Sequence, residues 1–595
     1  MCGVFGRVAP LGAPPCSFTT EAAKLLRHRG PDQFGTYHVR LNWASVSLAS
    51  SRLKIVDQSD IDVPFRDLRY GVSVAFNGEI YNHLSLKAEL SDGNDWKTSS
   101  DVEVLPRAWR RWGAHMLDHM NGLWSMILVD HLQHQVFAAR DRAGKKPLYY
   151  AYSNDVLYLT SEAKALPIAL VEKPCLDLET LEFDCLEDTP LLGVHRLLPG
   201  SYIHMNRATD ISPIPPKKAW WHFPVDTSTS KVYTDRQVGG VGNREGVDVK
   251  LAESLTEELR ELIIGSIKLR LSNEVPVAVQ LSGGLDSAII QAVCKSEALY
   301  CVGFPADGID TLGMAKVAAG AGREALVKQV TFDRELLMRH FPEIVGALDT
   351  AATWSGAALW FLNRQIAADG GRIVLSGEGA DELFGGYARY RVLWHLEQMR
   401  LDTHLEGYNP LMEYMVGSAT DLMAKMLDRS EGGRRRAHAA YLVEQFRGPA
   451  SLRLPDAMAR VDWHVTLPIL LRMGDRCAMA HSLENRCPFL DYRIIELAAR
   501  VPHWMKINAR ESKHILRDVA RSLGVDPQIV DEQTKLGLVV PWGKWNNVAG
   551  SRGVYSRESF FRLTMEAWRA QVLRPALCAR ESCSSIPITD LGPNL

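Results

Sequence analysis

The pattern of apolar residues changes once along this chain of 595 residues, and this change constrains the fold more than any other feature. Before residue 208, short apolar runs are separated by turn residues, which is typical of layered sheets. The runs predict strands at 46–49, 72–76, 125–129, 136–139, 148–151 and 156–160. Proline, serine, threonine and glycine then become frequent, which indicates a linker. We expect a first domain over residues 1–208, a linker over 209–247 and a second domain over 248–595.

The second domain has a different period. Apolar residues recur at three- and four-residue steps over 251–267, which predicts an amphipathic helix. Four apolar runs follow, with helical segments between them. They predict strands at 275–281, 299–304, 326–330 and 372–375. The alternation of strand and helix favours a parallel, doubly wound sheet, and the chain after residue 388 is expected to be mostly helical.

The composition excludes several classes of partner. Hydrophobic residues make up 46% of the chain and charged residues 23%, as in ordinary globular proteins. A net charge of −2 gives no general attraction to nucleic acid or to anionic membranes. The ten cysteines form no C-x-x-C pair, which favours reduced thiols. We therefore expect a cytoplasmic protein that acts on small molecules, with no nucleic-acid or membrane partner. The sequence does not indicate an oligomeric state.

Residues 282–287, Ser-Gly-Gly-Leu-Asp-Ser, follow the predicted strand at 275–281 and precede a helical stretch. Glycines let backbone N–H groups approach an anion, while serine hydroxyls and the helix dipole favour phosphate at such a turn. An acidic segment, 376–386, follows the predicted strand at 372–375. Because the carboxyl ends of parallel strands meet at one edge of a sheet, we expect both segments to face one nucleotide. A tight turn without a ligand is the alternative.

Cys2 is the second candidate for chemistry. After removal of Met1, its thiol and a free α-amine belong to the same residue. A neutral α-amine can accept a thiol proton, so such a residue is a nucleophile with its own base. A cysteine that follows the start residue by chance is the alternative interpretation.

These and further motifs closely resemble those of the glutamine-dependent asparagine synthetase family, over nearly the whole chain. The N-terminal half contains, in order, MCGVFG at 1–6, RHRGPD at 27–32, SRLKIVD at 51–57, NGEIYN at 77–82, TSSD at 98–101 and RDRAGKKPLY at 140–149. The C-terminal half contains SGGLDS at 282–287, SGEGADELFGGY at 376–387, DR at 475–476, ENRCPFLD at 484–491 and KHILR at 513–517. The resemblance implies an α+β N-terminal nucleophile domain, an αββα sandwich, followed by an α/β doubly wound ATP-pyrophosphatase domain with added helices.

The resemblance also implies roles for residues of the first domain. Cys2 would attack the side-chain amide of glutamine and form a γ-glutamyl thioester. The residues that would bind glutamine are Arg52, Asn77, Gly78, Glu79 and Asp101. The asparagine and the glycine N–H would form the oxyanion hole. The arginine would bind the α-carboxylate and the two acids the α-amino group, which agrees with the need of a zwitterion for one fixed cation and at least one anion.

In the second domain, the resemblance implies cleavage of ATP between its α- and β-phosphates. The residues that would contact ATP are Gln280, Leu281, Ser282, Gly283, Gly284, Asp286, Ser287, Val302, Ser376 and Gly377. Asp286 and Asp381 would hold Mg²⁺ against the pyrophosphate, since magnesium prefers a carboxylate or two with phosphate oxygens. Glu378 would act as a base on incoming ammonia, and Lys513 would stabilise phosphate charge. Ammonia would cross a tunnel between the domains.

The chain departs from the family pattern at three places. Residues 349–359 contain Trp354 and small apolar residues where the family commonly has polar residues and proline. This departure favours an acceptor other than free aspartate, and tolerated drift in packing is the alternative. Cys487 replaces an aliphatic residue, and Ala143 and Lys145 replace an aromatic and an aliphatic residue. We assign no chemistry to Cys487, and the other two departures put no catalytic residue in doubt.

The motifs together predict an ATP- and glutamine-dependent amidotransferase that adenylates a carboxylate and converts it to a primary amide. One alternative is an intramolecular cyclase of the β-lactam or lasso-peptide type, which would use an amine of its own substrate. Another is a non-catalytic sensor of glutamine or ATP. The intact Cys2, Asn77, Gly78 and Asp101 argue against the cyclase, and the intact residues of both sites argue against the sensor.

Two further features are interpreted as structural. His115 and His119 have a helical spacing that metals use, but Asp118 is the one acidic residue between them and no cysteine is close in the sequence. The arginine run at 434–436 is interpreted as a solvated face.

Overall fold

The computed structural model describes most of the chain. The described residues are 2–91, 93, 95–167, 187, 189, 191, 193–224, 249–272, 274–348, 354–403, 454–508, 511–532, 540–541 and 545. The arginine run at 434–436 and residues 349–353 of the predicted acceptor segment lie outside this set.

Two six-stranded antiparallel sheets form the described part of the first domain. The strands are β1 (Cys2–Pro10), β2 (Gln33–Arg40), β3 (Ala44–Arg52), β4 (Phe65–Asp67), β5 (Val72–Ile80), β6 (Gly122–Asp130), β7 (Gln135–Arg140), β8 (Tyr149–Ser153), β9 (Val156–Thr160), β10 (Val194–Arg196), β11 (Ser201–Met205) and β12 (Lys217–Ala219). Their orders are β10-β8-β9-β1-β3-β2 and β12-β11-β7-β6-β5-β4. All six predicted strands are confirmed.

The two sheets pack face to face, and helices cover their outer faces. Val46 and Leu48 of β3 meet Ile127 and Val129 of β6 in the apolar layer between the sheets. The flanking helices are α1 (Phe18–Leu25), α2 (His83–Glu89), α3 (Val104–Trp112) and α4 (Met116–His119). Helix α1 packs on the first sheet, and the other three pack on the second. This arrangement is the predicted αββα sandwich.

The second domain is built around a parallel sheet. Its strands are β13 (Val277–Gln280), β14 (Ala298–Val302), β15 (Val327–Val330), β16 (Ile373–Leu375) and β17 (Glu484–Arg486), in the order β15-β14-β13-β16-β17. Neighbouring residues point to opposite faces, so Val279 packs in one apolar cluster and Ala278 in the other. Both faces are therefore covered, as in the predicted doubly wound sheet.

Helices on both faces account for most of the remaining described residues. They are α5 (Val249–Leu269), α6 (Leu285–Cys294), α7 (Leu312–Ala319), α8 (Arg334–Leu348), α9 (Trp354–Ala368), α10 (Ala380–Phe384), α11 (Ala388–Thr403), α12 (Leu454–Val461), α13 (Leu467–Met479), α14 (Tyr492–Arg500), α15 (His503–Lys506), α16 (His514–Ser522) and α17 (Pro527–Asp531). A π-helical turn, Asp462–Thr466, joins α12 to α13. No described helix combines the length and the apolar character needed to cross a bilayer.

Strand β13 lies at the centre of the parallel sheet, between β14 and β16. The chain leaves it to one side for β14 and returns on its other side as β16. Such a change of direction opens a crevice beyond the carboxyl ends of the strands. The turn at 282–287 follows β13 and the acidic segment follows β16, so the topology places both at this crevice.

Buried charges connect the two domains. Arg29 of the first domain lies 2.8 Å from Asp475 of α13, and Lys146 lies 3.4 Å from the same carboxylate. Arg476 of α13 in turn lies 2.6 Å from Glu162 of the first domain. Each group is nearly inaccessible to solvent, so the loss of one partner would leave an uncompensated buried charge. These contacts fix one domain against the other.

Strand β12 lies inside the stretch predicted to be a linker. It pairs antiparallel with β11, so Lys217 and Lys218 belong to the edge of the second sheet. The sheet of the first domain therefore continues past residue 208. Residues 225–247 of the predicted linker lie outside the described set, and the domain limits stay a prediction.

Candidate active sites

A pocket opens beside Cys2. Strands β1, β3 and β5 form its wall, and the turn before residue 102 closes it. The predicted glutamine residues that line it are Arg52, Gly78, Glu79 and Asp101. Asn77 contacts Cys2 directly, because its Oδ1 accepts a hydrogen bond of 3.2 Å from the Cys2 backbone nitrogen. The structure thus brings the predicted glutamine site together around the candidate nucleophile.

The predicted oxyanion residues lie on β5, which is buried along its whole length. The amide nitrogen of Asn77 donates to Ser125 Oγ at 3.4 Å. Gly78 has a φ of +138°, and a Cβ atom there would lie 2.2 Å from the carbonyl oxygen of Leu123. Only glycine fits this close approach of β5 to β6. The strand therefore fixes both predicted residues beside Cys2, with the Asn77 carbonyl oxygen facing the Cys2 nitrogen and its amide nitrogen facing Ser125.

The guanidinium of Arg52 is held by neutral acceptors. It donates to Gln33 Oε1 at 2.6 Å and to the backbone carbonyls of Ser59, Val56 and Asp57 at 2.8, 3.1 and 2.6 Å. Arg52 is buried, and its four contacts orient it without neutralising its charge. A fixed cation on the pocket wall suits the α-carboxylate of an amino acid.

Asp57 shapes the loop that holds Arg52. Its φ is +67°, and its carboxylate accepts hydrogen bonds of 2.9 Å from the backbone nitrogens of Ser59 and Ser99. Burial alone would raise the pKa of Asp57, but the hydrogen bonds from Ser59 and Ser99 outweigh it and lower the pKa to about 2. The ionised carboxylate thus connects the loop of Arg52 to the turn before Asp101.

Glu79 is paired with an arginine of the second domain. Its Oε2 lies 2.7 Å from the guanidinium of Arg486, which also lies 2.7 Å from Glu484. Burial raises the pKa of Glu79 to about 8, against the lowering effect of Arg486. Asp101, the other predicted acid, accepts a hydrogen bond of 2.9 Å from the Ile80 nitrogen. The glutamine site is therefore in electrostatic contact with β17 of the other domain.

The turn at 282–287 has the local geometry expected of an anion-binding turn. Gly283 has a φ of +79°, and a Cβ atom there would lie 2.7 Å from Met314 Cβ. The hydroxyl oxygens of Ser282 and Ser287 lie 3.3 Å apart, and Ser282 Oγ accepts a hydrogen bond of 3.3 Å from the Gly284 nitrogen. Helix α6 begins at the next residue, so hydroxyls and backbone N–H groups gather at its N-terminus.

The remaining predicted ATP residues frame this turn. Gln280, the last residue of β13, donates to Asn363 Oδ1 at 3.3 Å. Leu281 continues the strand through a backbone hydrogen bond of 2.7 Å to Tyr300. Val302 is buried at the end of β14. All three lie at the carboxyl ends of neighbouring strands, beside the crevice.

Lys513 lies between the two carboxylates predicted to hold Mg²⁺. Its Nζ lies 2.6 Å from both carboxylate oxygens of Asp286 and 2.7 Å from Asp381 Oδ1. Burial would lower the pKa of Lys513, but these two carboxylates outweigh it and raise the pKa. Two convergent carboxylates beside a phosphate-binding turn are a donor set that suits Mg²⁺, so the residues present fit the predicted ion.

Glu378 lies where the two motifs meet. A Cβ atom on Gly377 would lie 2.8 Å from Asp286 Cβ, so the acidic segment touches the turn after β13. Glu378 Oε2 accepts hydrogen bonds from the hydroxyl of Ser376 and, at 3.1 Å, from the thiol of Cys487. Ser376 Oγ accepts from Asn485 Nδ2 at 2.8 Å. Residues of β17 and its end therefore orient the predicted base.

Three residues of these sites were not assigned roles from the sequence: Arg486, Asn485 and Lys145. Arg486 and Asn485 belong to the motif at 484–491. This motif resembles that of the family, but it does not predict which side chains the two residues contact. Lys145 was noted only as a departure. Its Nζ and Glu378 Oε1 face the same point above Gly474, where a Cβ atom would lie 3.2 and 2.8 Å from them.

The other singled-out residues have structural contacts. His119 stacks on Trp112 with ring centroids 3.9 Å apart, and His115 pairs with Asp118 at 3.1 Å. Of the acceptor segment, Ala357 and Ala358 are fully buried in the apolar cluster on one face of the parallel sheet. These two small residues serve packing.

Comparison with known proteins agrees with this arrangement. The family described as asparagine synthase matches residues 258–558, and the glutamine amidotransferase domain family matches residues 1–221. Asparagine synthetase [glutamine-hydrolyzing] 1 of Bacillus subtilis is 30% identical over 92% of this chain and 88% of its own length. A putative asparagine synthetase [glutamine-hydrolyzing] of Mycobacterium bovis has the same identity and coverage. Amidase chry2 of Gibberella zeae is 27% identical over 85% of this chain and 82% of its own length. The chain therefore belongs to the asparagine synthase family of ATP-dependent amidotransferases, with a glutamine amidotransferase domain ahead of the synthase domain.

Proposed function

We propose that this chain hydrolyses glutamine at Cys2 and uses the ammonia to convert an acyl-adenylate into a primary amide. The observation that carries the proposal is the completeness of the pocket beside Cys2. Arg52, Gly78, Glu79 and Asp101 line this pocket beside the thiol, and Asn77 contacts the Cys2 nitrogen. A cation and acidic side chains are the groups that recognise a zwitterion such as glutamine. The first half-reaction is proposed for the N-terminal domain, whose second sheet extends to Ala219, and the second for residues 248–595. The proposed location is the cytoplasm.

In the first half-reaction, the α-amine of Cys2 accepts the thiol proton after removal of Met1. The thiolate attacks the side-chain amide of glutamine. The protonated α-amine then gives its proton to the departing nitrogen, so the C–N bond breaks, ammonia leaves and the γ-glutamyl thioester remains. Asn77 and the N–H of Gly78 stabilise the negative charge on the amide oxygen. Arg52 orients the α-carboxylate, so the amide carbon lies over the thiol. Water then hydrolyses the thioester to glutamate.

In the second half-reaction, the turn at 282–287 binds the phosphates of ATP while the acceptor carboxylate attacks the α-phosphate. Asp286 and Asp381 would hold Mg²⁺, which when bound neutralises charge on the pyrophosphate. Lys513 then leaves these two carboxylates and contacts phosphate oxygens. Glu378 accepts a proton from the nitrogen nucleophile as AMP leaves.

The acceptor is a carboxylic acid, and two classes compete for the assignment. Aspartate follows from the names of the B. subtilis and M. bovis relatives. The apolar segment at 349–359 favours a larger metabolite or peptide acid as acceptor. Two of its small residues, Ala357 and Ala358, are buried in the apolar cluster and contribute to packing. An acceptor screen therefore belongs in the first experiment.

The intramolecular cyclase is the second candidate. It would make AMP without consuming glutamine, and nothing in its chemistry would use Arg52, Asn77 and Cys2 together. Their convergence around one pocket favours the amidotransferase. A sensor that lacks catalysis would release neither glutamate nor AMP.

The test supplies ATP, Mg²⁺, glutamine labelled with ¹⁵N in its amide, and either aspartate or a panel of other carboxylic acids. We expect glutamate, AMP, pyrophosphate and a product that carries the label. Release of AMP without glutamate would identify the cyclase. Glutamate and AMP without a labelled asparagine would exclude aspartate as acceptor and direct the search to the panel.

A further inference from the structure

Two residues that depart from the family pattern, Lys145 and Cys487, lie beside Glu378, although they belong to different domains. Lys145 follows β7 in the first domain, and Cys487 follows β17 in the second. The ammonium group of Lys145 contacts Cys487, whose thiol donates to Glu378 Oε2 at 3.1 Å. Lys145 Nζ also lies 3.5 Å from the carbonyl oxygen of Leu471. The two side chains form a polar cluster where the family has aliphatic residues.

Lys145 Nζ and Glu378 Oε1 both lie above Gly474, where a Cβ atom would be 3.2 and 2.8 Å from them. The charged groups that face it are Glu378, Asp475 and Lys146, with Arg29 on the far side of Asp475. Asp475 already pairs with Arg29 at 2.8 Å and with Lys146 at 3.4 Å. Glu378 is therefore the carboxylate that matches Lys145 in this cluster.

Both departures have a defined protonation state at neutral pH. Burial would lower the pKa of Lys145, but the carboxylates of Glu378 and Asp475 oppose this effect, and the pKa is raised. Burial raises the pKa of Cys487 to about 12, so its thiol stays protonated. The cluster next to the predicted base thus contains one fixed cation and one neutral thiol donor.

We propose that Lys145 determines which form of nitrogen reaches Glu378, by repelling ammonium and admitting neutral ammonia. Like charges repel strongly where water is excluded, whereas a neutral molecule of the same size experiences no such repulsion. Lys145 has 1% of its surface exposed, so solvent screens its charge little. The chain would then depend on ammonia released from glutamine and would use ammonium from solution poorly. This inference rests on the proposed function.

The test compares Lys145→Met and Lys145→Gln, which remove the charge, with Lys145→Arg, which keeps it. Ammonium chloride is the sole nitrogen source, and amide formation is measured between pH 7 and 8.5. In the wild type, the KM for total ammonia should fall about tenfold per pH unit, in step with the neutral fraction. We expect the two uncharged variants to lower this KM at least about fivefold at pH 7 and to flatten its pH dependence. The arginine variant should follow the wild type.

Glutaminase activity of each variant serves as the check on folding, since Lys145 does not line the pocket of Cys2. An unchanged KM for ammonium and an unchanged pH dependence, in either uncharged variant that still forms amide, would overturn this inference alone. A wild type that forms no amide from glutamine and ATP would instead overturn the proposed function.

Discussion

The two candidate active sites differ in how their fixed cations are held. Arg52, in the glutaminase pocket, donates to an amide and to three backbone carbonyls, so its positive charge remains available to a substrate. Lys513, in the synthase site, lies between the carboxylates of Asp286 and Asp381. The first site is prepared for glutamine before it binds. The second must exchange contacts when a nucleotide arrives, because its lysine is already neutralised.

The comparison also shows where the sites connect. Glu79 in the first site pairs with Arg486, and Arg486 lies on β17 beside Asn485, which orients Ser376 in the second site. A change in the contact between Glu79 and Arg486 can therefore be transmitted along β17 to Glu378, the predicted base.

The largest expected effect separates the two sites. Replacing Cys2 with alanine removes the nucleophile, and we expect glutamine hydrolysis to fall at least about 1,000-fold. Amide formation from ammonium should persist, because the synthase site does not contact the thiol. Glutamate release and amide formation are measured on the same preparation. Loss of both activities in a folded variant would contradict the division into two sites.

The next effect concerns the connection. In Arg486→Met, two buried carboxylates, Glu79 and Glu484, lose their shared cation. We expect a loss of about 3–5 kcal/mol in the free energy of unfolding, measured by urea denaturation. Arg486→Lys keeps the positive charge and should lose less of the free energy of unfolding, although an ammonium group cannot contact both carboxylates as the guanidinium does. Equal losses in both variants would show that shape, rather than charge, is what matters at this position.

A third prediction tests whether the glutaminase site is prepared in advance. Arg52→Met removes the cation predicted to bind the α-carboxylate, and we expect the KM for glutamine to rise about 10- to 100-fold. Arg52→Lys should fall between this variant and the wild type. The KM for ATP serves as the control and should not change. An unaltered KM for glutamine would place the carboxylate elsewhere in the pocket.

The smallest effect concerns the loop of Arg52. The pKa of Asp57 is lowered to about 2, so its carboxylate stabilises the fold above the unfolded pKa, and this contribution disappears as the pH falls through the folded pKa. Asp57→Asn should cost about 1 kcal/mol at pH 6, and the difference from the wild type should shrink toward pH 3. Urea denaturation at both pH values measures it. A difference that is independent of pH would assign the effect to packing.

The elements that sequence predicts best here are those with a local apolar pattern. The amphipathic period over 251–267 matches α5, and the apolar runs match β13 to β16. Strand β17 was not predicted, because Glu484, Asn485 and Arg486 are polar and charged and have the pattern of a loop. They are buried only because Glu79, Ser376 and Arg270 supply partners more than 100 positions away.

The same limit applies to the sites. The resemblance to the family implied which residues surround Cys2. Strand ends and glycine-rich turns are local features, and they predicted that 282–287 and 376–386 share a crevice. The pairing of Glu79 with Arg486 and the approach of Lys145 to Glu378 depend on the docking of two domains. The spacing of residues within a motif does not predict which residues of the other domain they contact.

Glu162 offers a practical consequence for protein engineering. This single carboxylate lies 2.7 Å from Arg29 and Lys164 of its own domain and 2.6 Å from Arg476 of the other. A chimaera that joins the first half of this chain to the second half of a 30% identical relative must therefore preserve both sides of this contact. The two halves have separate chemistry, but they are exchangeable only as a matched pair.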